Sequence, residues 1–516
     1  MGRKCDYLVV GAGASGMAFV DTLLLHSKSP VSVVLLDKRQ QPGGHWNDAY
    51  EYATLHQPAR NYGVESAKLE DLALSNDEKR ATKAEVLAYY RSVLEGWKSK
   101  GHDVEFVGGA SFDFAASAYT QAGGSEPVTV DVAQKVVDAR YTANDIPLHV
   151  PPKFAYNAEH LDVIPPNELA ARGAAAGSSG AECHYVVLGA GKTGQDTMLY
   201  LRDVLNVPAD QLLWVMPSAP WITCRDPPPP LQQNTCMEFL SVALEAHAEA
   251  GAPAGAAAMS AATSAATSAF LQRGFEALAA RGNLYRIDPA SAPTKFMDAT
   301  LNRREVGVLQ ECAPCMVRNR GRVASICDDG SLTFADGSTL PLPWLEGSGN
   351  SGARAMAAAT TTTFVHCTAG AFNFGGSAAE ARRPIFGDDG RITIQELFQF
   401  PGFCFNGATI AWIESQPGLS LEQRNALCEM PPPGDASAPP SPLGPVAGEV
   451  GPLHAGHPLC VSLRNLRRWY AHEGMGEWLH SLRLFSLTMN GYSLAEGKAL
   501  AEKNHAGLVA AGVEAE

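Results

Sequence analysis

The sequence is poor in charge, and the balance of that charge has the wrong sign for a nucleic-acid partner. Charged residues make up 18% of the 516 positions, and 40 Lys and Arg against 54 Asp and Glu leave a formal net charge of −14. That excludes a binder that works by neutralising phosphates. It does not exclude a protein that holds dinucleotides through backbone N–H groups and helix ends. No uninterrupted apolar run reaches the roughly 18 residues of a membrane span, so none is expected. The first apolar run is broken by Gly11, Gly13 and Gly16, which reads as neither signal peptide nor anchor. Gly2 is not read as a myristoylation site, because Asp6 stands where Ser or Thr is needed. The eleven cysteines lack the spacing of a disulfide framework, so reduced thiols and a cytoplasmic setting are expected. One C-x-x-C, Cys312 to Cys315, has no second pair nearby, and no metal is expected.

What is present is a chain with 46% apolar residues, enough for large cores, and too long for one. Asp6 to Val10 reads as a buried strand, Ala14 to His26 as a helix, and Val31 to Leu36 as a second strand ending at Asp37. The pattern recurs with a strand from Tyr185 to Leu188, a helix to about Leu205 and a strand from Leu212 to Met216. Between the two units lie a helix over Lys83 to Ser99 and a strand-rich stretch from Val104 to Arg140. Arg322 to Leu340 has hairpin character, a strand follows over Thr363 to Cys367, and the last hundred residues read mainly as helix. Ala171–Ala181, Ala248–Ala269, Glu346–Thr360 and Pro431–Pro452 are low-complexity insertions, read as loops or, where Ala-rich, as surface helix.

Each unit carries a glycine loop between strand and helix: Gly11-Ala12-Gly13-Ala14-Ser15-Gly16 and Gly189-Ala190-Gly191-Lys192-Thr193-Gly194. A lone G-x-G-x-x-G is weak, but here a strand precedes each loop, a helix follows, and Asp37 ends the next strand of the first unit. The first glycine makes the tight turn. The second lets a pyrophosphate approach the backbone, and the third lets helix and strand pack closely. Asp37, with Lys38 beside it, is expected at the ribose of an adenosine half. Ser15 is read as a phosphate donor or as a capping hydroxyl. The second unit's strand ends Met216-Pro217 with no acid, which tilts that loop to NADPH over NADH, with Lys192 or Arg225 as phosphate partners.

Gly43-Gly44-His45-Trp46 follows the first unit. In order and spacing, these motifs resemble the flavoproteins with two dinucleotide-binding domains, in particular the flavin-containing monooxygenase group. The resemblance covers most of the first 420 residues, less the insertions. It implies an α/β fold of two Rossmann-like, three-layer β/β/α domains, the NAD(P)H domain inserted in the FAD domain, with a helical C-terminal extension. The expected boundaries are 1–165 and 305–420 for the FAD-binding domain, 180–300 for the NAD(P)H-binding domain and 453–516 for the helical region. FAD would lie against Gly11, Gly13, Ala14, Ser15, Gly16, Asp37, Lys38, Gly44, His45 and Trp46, and NADPH against Gly189, Gly191, Lys192, Thr193 and Gly194. Thr368 and Gly370 resemble the late motif that returns the chain to FAD. Asn406 is read as the N-cap of a helix aimed at the flavin or of an ordinary surface helix, and His56 as a proton donor or a plain loop histidine.

The implied activity is that of an FAD-dependent oxidoreductase, an NADPH-using monooxygenase-like enzyme acting on a small organic substrate with O2. The F-x-G-x-x-x-H signature of the better-known monooxygenases is not visible; Pro147 to Lys153 stands in its place. An NAD(P)H-dependent reductase without oxygen insertion, and a non-enzymatic dinucleotide-bound redox sensor, therefore stay open. No catalytic side chain is nominated, and oligomeric state is not legible.

Overall fold

A computed structural model of the chain describes residues 3–72, 80–124, 126–140, 146–179, 183–226, 236–249, 264–293, 295–318, 320–345, 362–368, 383–398, 402–430, 457–485, 489 and 491–514. The first β-α-β unit is β1 (Arg3–Val10), α1 (Ala14–His26) and β2 (Ser32–Asp37). It continues through α2 (Lys83–Ser99), β3 (Asp103–Gly108), β4 (Ala110–Asp113), β5 (Ala118–Gln121) and β6 (Val128–Asp138). The sheet order is β3-β2-β1-β6-β5-β4, parallel through β6 and antiparallel beyond it. Alternation along the central strands makes two cores. Tyr7, Val9, Val33 and Leu35 pack toward α1 and its neighbours, while Leu8, Val10, Val34 and Leu36 meet Val107, Ala110 and Tyr119 on the other face. Helix, sheet and antiparallel layer stack as the expected three layers.

The second domain repeats the plan with β7 (Asp162–Ile164), α3 (Pro166–Ser179), β8 (His184–Leu188), α4 (Lys192–Leu199) and β9 (Leu212–Met216). A side sheet follows, from β10 (Pro220–Cys224), β11 (Leu284–Arg286) and β12 (Lys295–Leu301), with α5 (Cys236–Glu249) and α6 (Ser264–Ala280) between its strands in sequence. Then come α7 (Arg303–Glu311), β13 (Met316–Arg318), the three short strands β14 (Val323–Ile326), β15 (Leu332–Phe334) and β16 (Thr339–Leu340), and β17 (Thr362–His366). Tyr185, Val187 and Trp214 face Met198 and Leu309, and Val186, Leu188 and Val215 face Ile326, Leu332 and Phe334. The low-complexity stretches fall into α3 and α6 in part; Glu346–Thr360 and Pro431–Pro452 lie outside the described residues.

One expectation is corrected here. The strand before Thr368 does not return to the first sheet: β17 pairs in parallel with β8 over its whole length and with β7 on its other edge. The 305–420 segment is therefore split, and β7, placed with the first 165 residues, also belongs to the second sheet. A strand's partner is set by distant register, which local periodicity does not carry. The chain rejoins the first sheet at β18 (Arg391–Thr393), parallel to β6.

After β18 comes α8 (Gly402–Ser415), apolar all round and buried from Cys404 to Glu414, as a core helix must be. Helices α9 (Leu421–Ala426), α10 (Pro458–Ala471), α11 (Met475–Ser481) and α12 (Leu494–Ala510) follow, and Trp469, Leu479 and Leu484 join the first domain's core. No helix among the described residues is long and apolar enough to cross a membrane.

Candidate functional site

The two glycine loops are near copies in three dimensions. Gly11 and Gly189 both have left-handed backbones, at φ +111° and +130°, which only glycine adopts without strain. Each donates its N–H across the sheet, Gly11 to Leu36 O at 2.8 Å and Gly189 to Val215 O at 3.0 Å. A Cβ on Gly16 would stand 1.8 Å from the Gly11 carbonyl oxygen, and one on Gly194 would stand 2.1 Å from that of Gly189. The strand beyond each loop closes it in the same way: Ala139 N–H donates to Val10 O, and Cys367 N–H to Leu188 O, both at 2.9 Å. Thr368 therefore sits beside the second loop, where Ala139 and Arg140 sit beside the first. Its Oγ1 is buried without a hydrogen-bond partner. Gly370 lies outside the described residues.

The helices that leave these loops differ from four others in the chain and share an uncapped glycine start only with the shorter α11, at Gly474, among the α-helices whose caps are described. α2, α7, α9 and α12 each begin with a full capping box, built on Thr82, Asn302, Ser420 and Ser493. α1 and α4 begin at Gly13 and Gly191 with no side-chain cap at all. Their first-turn N–H groups receive no side-chain cap, and each helix turns the positive end of its dipole toward its glycine loop. At the first loop the backbones crowd together. Gly43 donates to Ala12 O at 2.8 Å, and a Cβ on Gly44 would come within 2.7 Å of Gly13 Cα. Asp37, 5% exposed, accepts from Ala12 N–H at 2.7 Å and from Arg39 N–H at 2.9 Å. It braces the loop from beneath, while Lys38 is exposed beside it. Ser15 is buried where α8 crosses α1, and a Cβ on Gly407 would lie 2.2 Å from the Ser15 carbonyl oxygen.

Residues 44 to 64 run from the first loop to the second domain. Trp46 is buried and donates Nε1–H to the Tyr62 hydroxyl at 2.9 Å. His45 stacks on Trp46 at 5.7 Å and meets Phe403 edge-on at 6.5 Å. Its side chain is exposed to solvent, and the neighbouring protein and the charge of Arg39 lower its imidazole pKa.

Three expectations change at this point. Arg225 is not a free phosphate partner: it is buried, donating to Glu305 at 2.9 Å, to Thr300 O at 2.9 Å and to His56 O at 2.6 Å. His56 is tied in through that carbonyl and is half-buried at the seam between domains. Asn406 is not an N-cap, because the helix starts four residues earlier. Its Oδ1 accepts from Leu397 N–H at 3.1 Å and Phe398 N–H at 3.3 Å, and its Nδ2 donates to Gly402 O at 3.3 Å. Asn406→Ala leaves two buried donors unpaired, at about 1–3 kcal/mol each; urea unfolding should show a loss of that order. Lys192 is ion-paired with Asp196 one turn along α4. Among the described residues no group of three or more His, Cys, Asp or Glu is placed to hold a metal.

Sequence reasoning missed Tyr50, Asp196 and Arg483. Tyr50 O–H donates to Asp196 at 2.7 Å. Arg483, from the C-terminal region, donates to the carbonyls of Arg60, Tyr62, Val64 and Ala67 at 2.5–2.9 Å. No local pattern marks either contact.

The family model described as an NAD(P)-binding Rossmann-like domain matches residues 9–64. The uncharacterized protein Rv2000 of Mycobacterium tuberculosis (strain H37Rv) is 30% identical over 492 residues, covering 93% of this chain and 77% of the relative. The uncharacterized protein Mb2023 of Mycobacterium bovis matches to the same extent. Among solved structures, a polycyclic ketone monooxygenase from Thermothelomyces thermophila is similar at TM-score 0.44 and 13% identity, covering 99% of this chain and 85% of its own. An oxidized steroid monooxygenase bound to NADP is similar at TM-score 0.43 and 15% identity, covering 80% and 84%.

Proposed function

The chain belongs to one family with protein Rv2000 of Mycobacterium tuberculosis, and we propose that it is an FAD-dependent oxidoreductase that takes reducing equivalents from NADPH. The observation that carries this reading is the pair of uncapped helix N-termini at matched glycine loops, in a chain that caps four other helices with boxes. Two such anion sites in two Rossmann-like domains fit two dinucleotides.

The residues present fit FAD at the first loop. Gly13 and Gly44 leave a cradle that a side chain on either would fill, with the Gly44 Cβ position 2.7 Å from Gly13 Cα. Gly11, Gly13, Ala14, Ser15 and Gly16 would hold the diphosphate through the first turn of α1. Asp37 would keep the loop in shape, and Lys38 would lie at the adenosine end. Gly44, His45 and Trp46 would border the ring system, with Trp46 held by the Tyr62 hydroxyl. At the second loop, Gly189, Gly191, Lys192, Thr193 and Gly194 would hold the nicotinamide dinucleotide, with the buried Thr368 Oγ1 beside them in need of a partner. When bound, the flavin supplies hydride acceptance and reactivity toward O2. The protein's part is to orient both groups, exclude water and keep Trp46 fixed through Tyr62.

We place the enzyme with the monooxygenase-like flavoproteins, acting on a small organic substrate with O2. Heat-released cofactor should co-migrate with authentic FAD, and NADPH oxidation in air should consume O2. Release of no flavin, after reconstitution with FAD has been attempted, would overturn the reading.

A further inference from the structure

The second loop contains a charge arrangement that its nucleotide-binding role does not call for. Lys192 is the first residue of α4, and its ammonium is drawn back to Asp196, with the two side chains 10% and 13% exposed. Asp196 is engaged on its other oxygen by the Tyr50 hydroxyl at 2.7 Å. Tyr50 is held in turn: its ring packs on Tyr52 at 4.5 Å, and Tyr52 stacks on Tyr200 at 4.2 Å. The Tyr52 hydroxyl lies 3.1 Å from Thr197 Oγ1 on the same helix. Tyr50 and Tyr52 belong to the segment that leaves Gly44-His45-Trp46, so the aromatic stack fastens the border of the first loop onto the helix of the second. Close by, Gln195 is fully buried with Nε2 bonded to Ala190 O at 2.9 Å and Oε1 without a partner.

A diphosphate at the start of α4 meets two opposing charges. Lys192 attracts it, and Asp196, about 6 Å further along the axis at 1.5 Å per residue, repels it and competes for the same ammonium. We propose that Asp196 is a restraining residue: it holds Lys192 off the second loop and weakens dinucleotide binding there. Tyr50 couples that restraint to the segment bordering the first loop. This rests on the reading of the second loop as the nicotinamide site.

Asp196→Asn is the direct test, because it removes the charge but keeps the size and an acceptor for Tyr50. With flavin-loaded protein and NADP+ as probe, titration calorimetry should show binding three- to tenfold tighter than wild type. Lys192→Met should weaken binding about tenfold, and in its background Asp196→Asn should lose most of its effect. Melting curves of all variants check the fold. If Asp196→Asn folds and binds NADP+ no tighter, the restraint does not exist. If Asp196→Asn does not fold, Asp196→Ser takes its place, and NADP+ binding no tighter than wild type in that variant overturns the proposal instead. If wild type binds neither NADP+ nor NAD+, it is the assignment of the second loop that fails.

Discussion

Gly16→Ala should cost the protein its flavin while Gly194→Ala spares it. The two substitutions are the same chemical change at equivalent points of two loops. In each, the new methyl would sit on a backbone carbonyl, 1.8 Å from Gly11 O in one case and 2.1 Å from Gly189 O in the other. No rotamer relieves a contact between Cβ and backbone, so the helix must move off its strand. Overpacking of this kind costs about 1–3 kcal/mol or more. The displacement falls on the helix N-terminus that the diphosphate needs. For Gly16→Ala the expected outcome is protein purified with less than about a tenth of the wild-type FAD, since 1.4 kcal/mol is already tenfold in affinity. For Gly194→Ala the flavin content should hold, and NADPH should no longer reduce it at concentrations that saturate wild type. Equal flavin loss in both variants would mean that the loops do not divide the labour as proposed.

Arg483→Ala should loosen the 60–70 loop and release flavin without touching any residue at the cradle. One guanidinium serves four carbonyl oxygens between Arg60 and Ala67, and Glu70 lies 3.7 Å away. Its planar fork of donors is what makes this geometry available, and lysine's single ammonium does not reproduce it. The loop it holds contains Tyr62, whose hydroxyl fixes Trp46 at 2.9 Å, and Gly63, whose N–H reaches Cys404 Sγ at 3.3 Å. Hydrogen bonds to a charged group contribute about 1.5–3 kcal/mol each and do not add simply; a loss of about 3–5 kcal/mol is expected. Hydrogen exchange should accelerate across residues 60–67 first, and FAD affinity should fall at least tenfold. Arg467→Ala is the control, since the Arg467–Glu502 pair is on the surface and is worth no more than about 1 kcal/mol. Arg483→Lys behaving as wild type would contradict the multidentate role.

The difference between what the sequence disclosed and what it withheld follows from range. Both β-α-β units were legible because their signals are local: buried runs and glycines at fixed spacing, with an acid at a strand end in the first unit alone. The Gly16–Gly11 contact follows from that spacing. The partner of β17 was not legible, since a Thr-Thr-Phe-Val-His strand suits either sheet, and only distant register chooses. Asn406 was misread because Asn before Gly-Ala imitates an N-cap. The apolar run from Phe403 carries the helix past it, and the side chain turns to caring for Leu397 and Phe398. Arg225 was misjudged as available because its acceptor Glu305 is 80 residues away. Arg483 lies more than 400 residues from the loop it grips, and a lone arginine in a helical stretch advertises nothing.

The most direct measurement is the visible absorption spectrum of the purified protein under anaerobic conditions, before and after addition of NADPH. Two matched loops holding FAD and a nicotinamide predict the two-banded spectrum of an oxidised flavin, bleached on addition of NADPH and restored by air. A protein that remains colourless after incubation with FAD, or whose bound flavin neither NADPH nor NADH bleaches, would contradict the account.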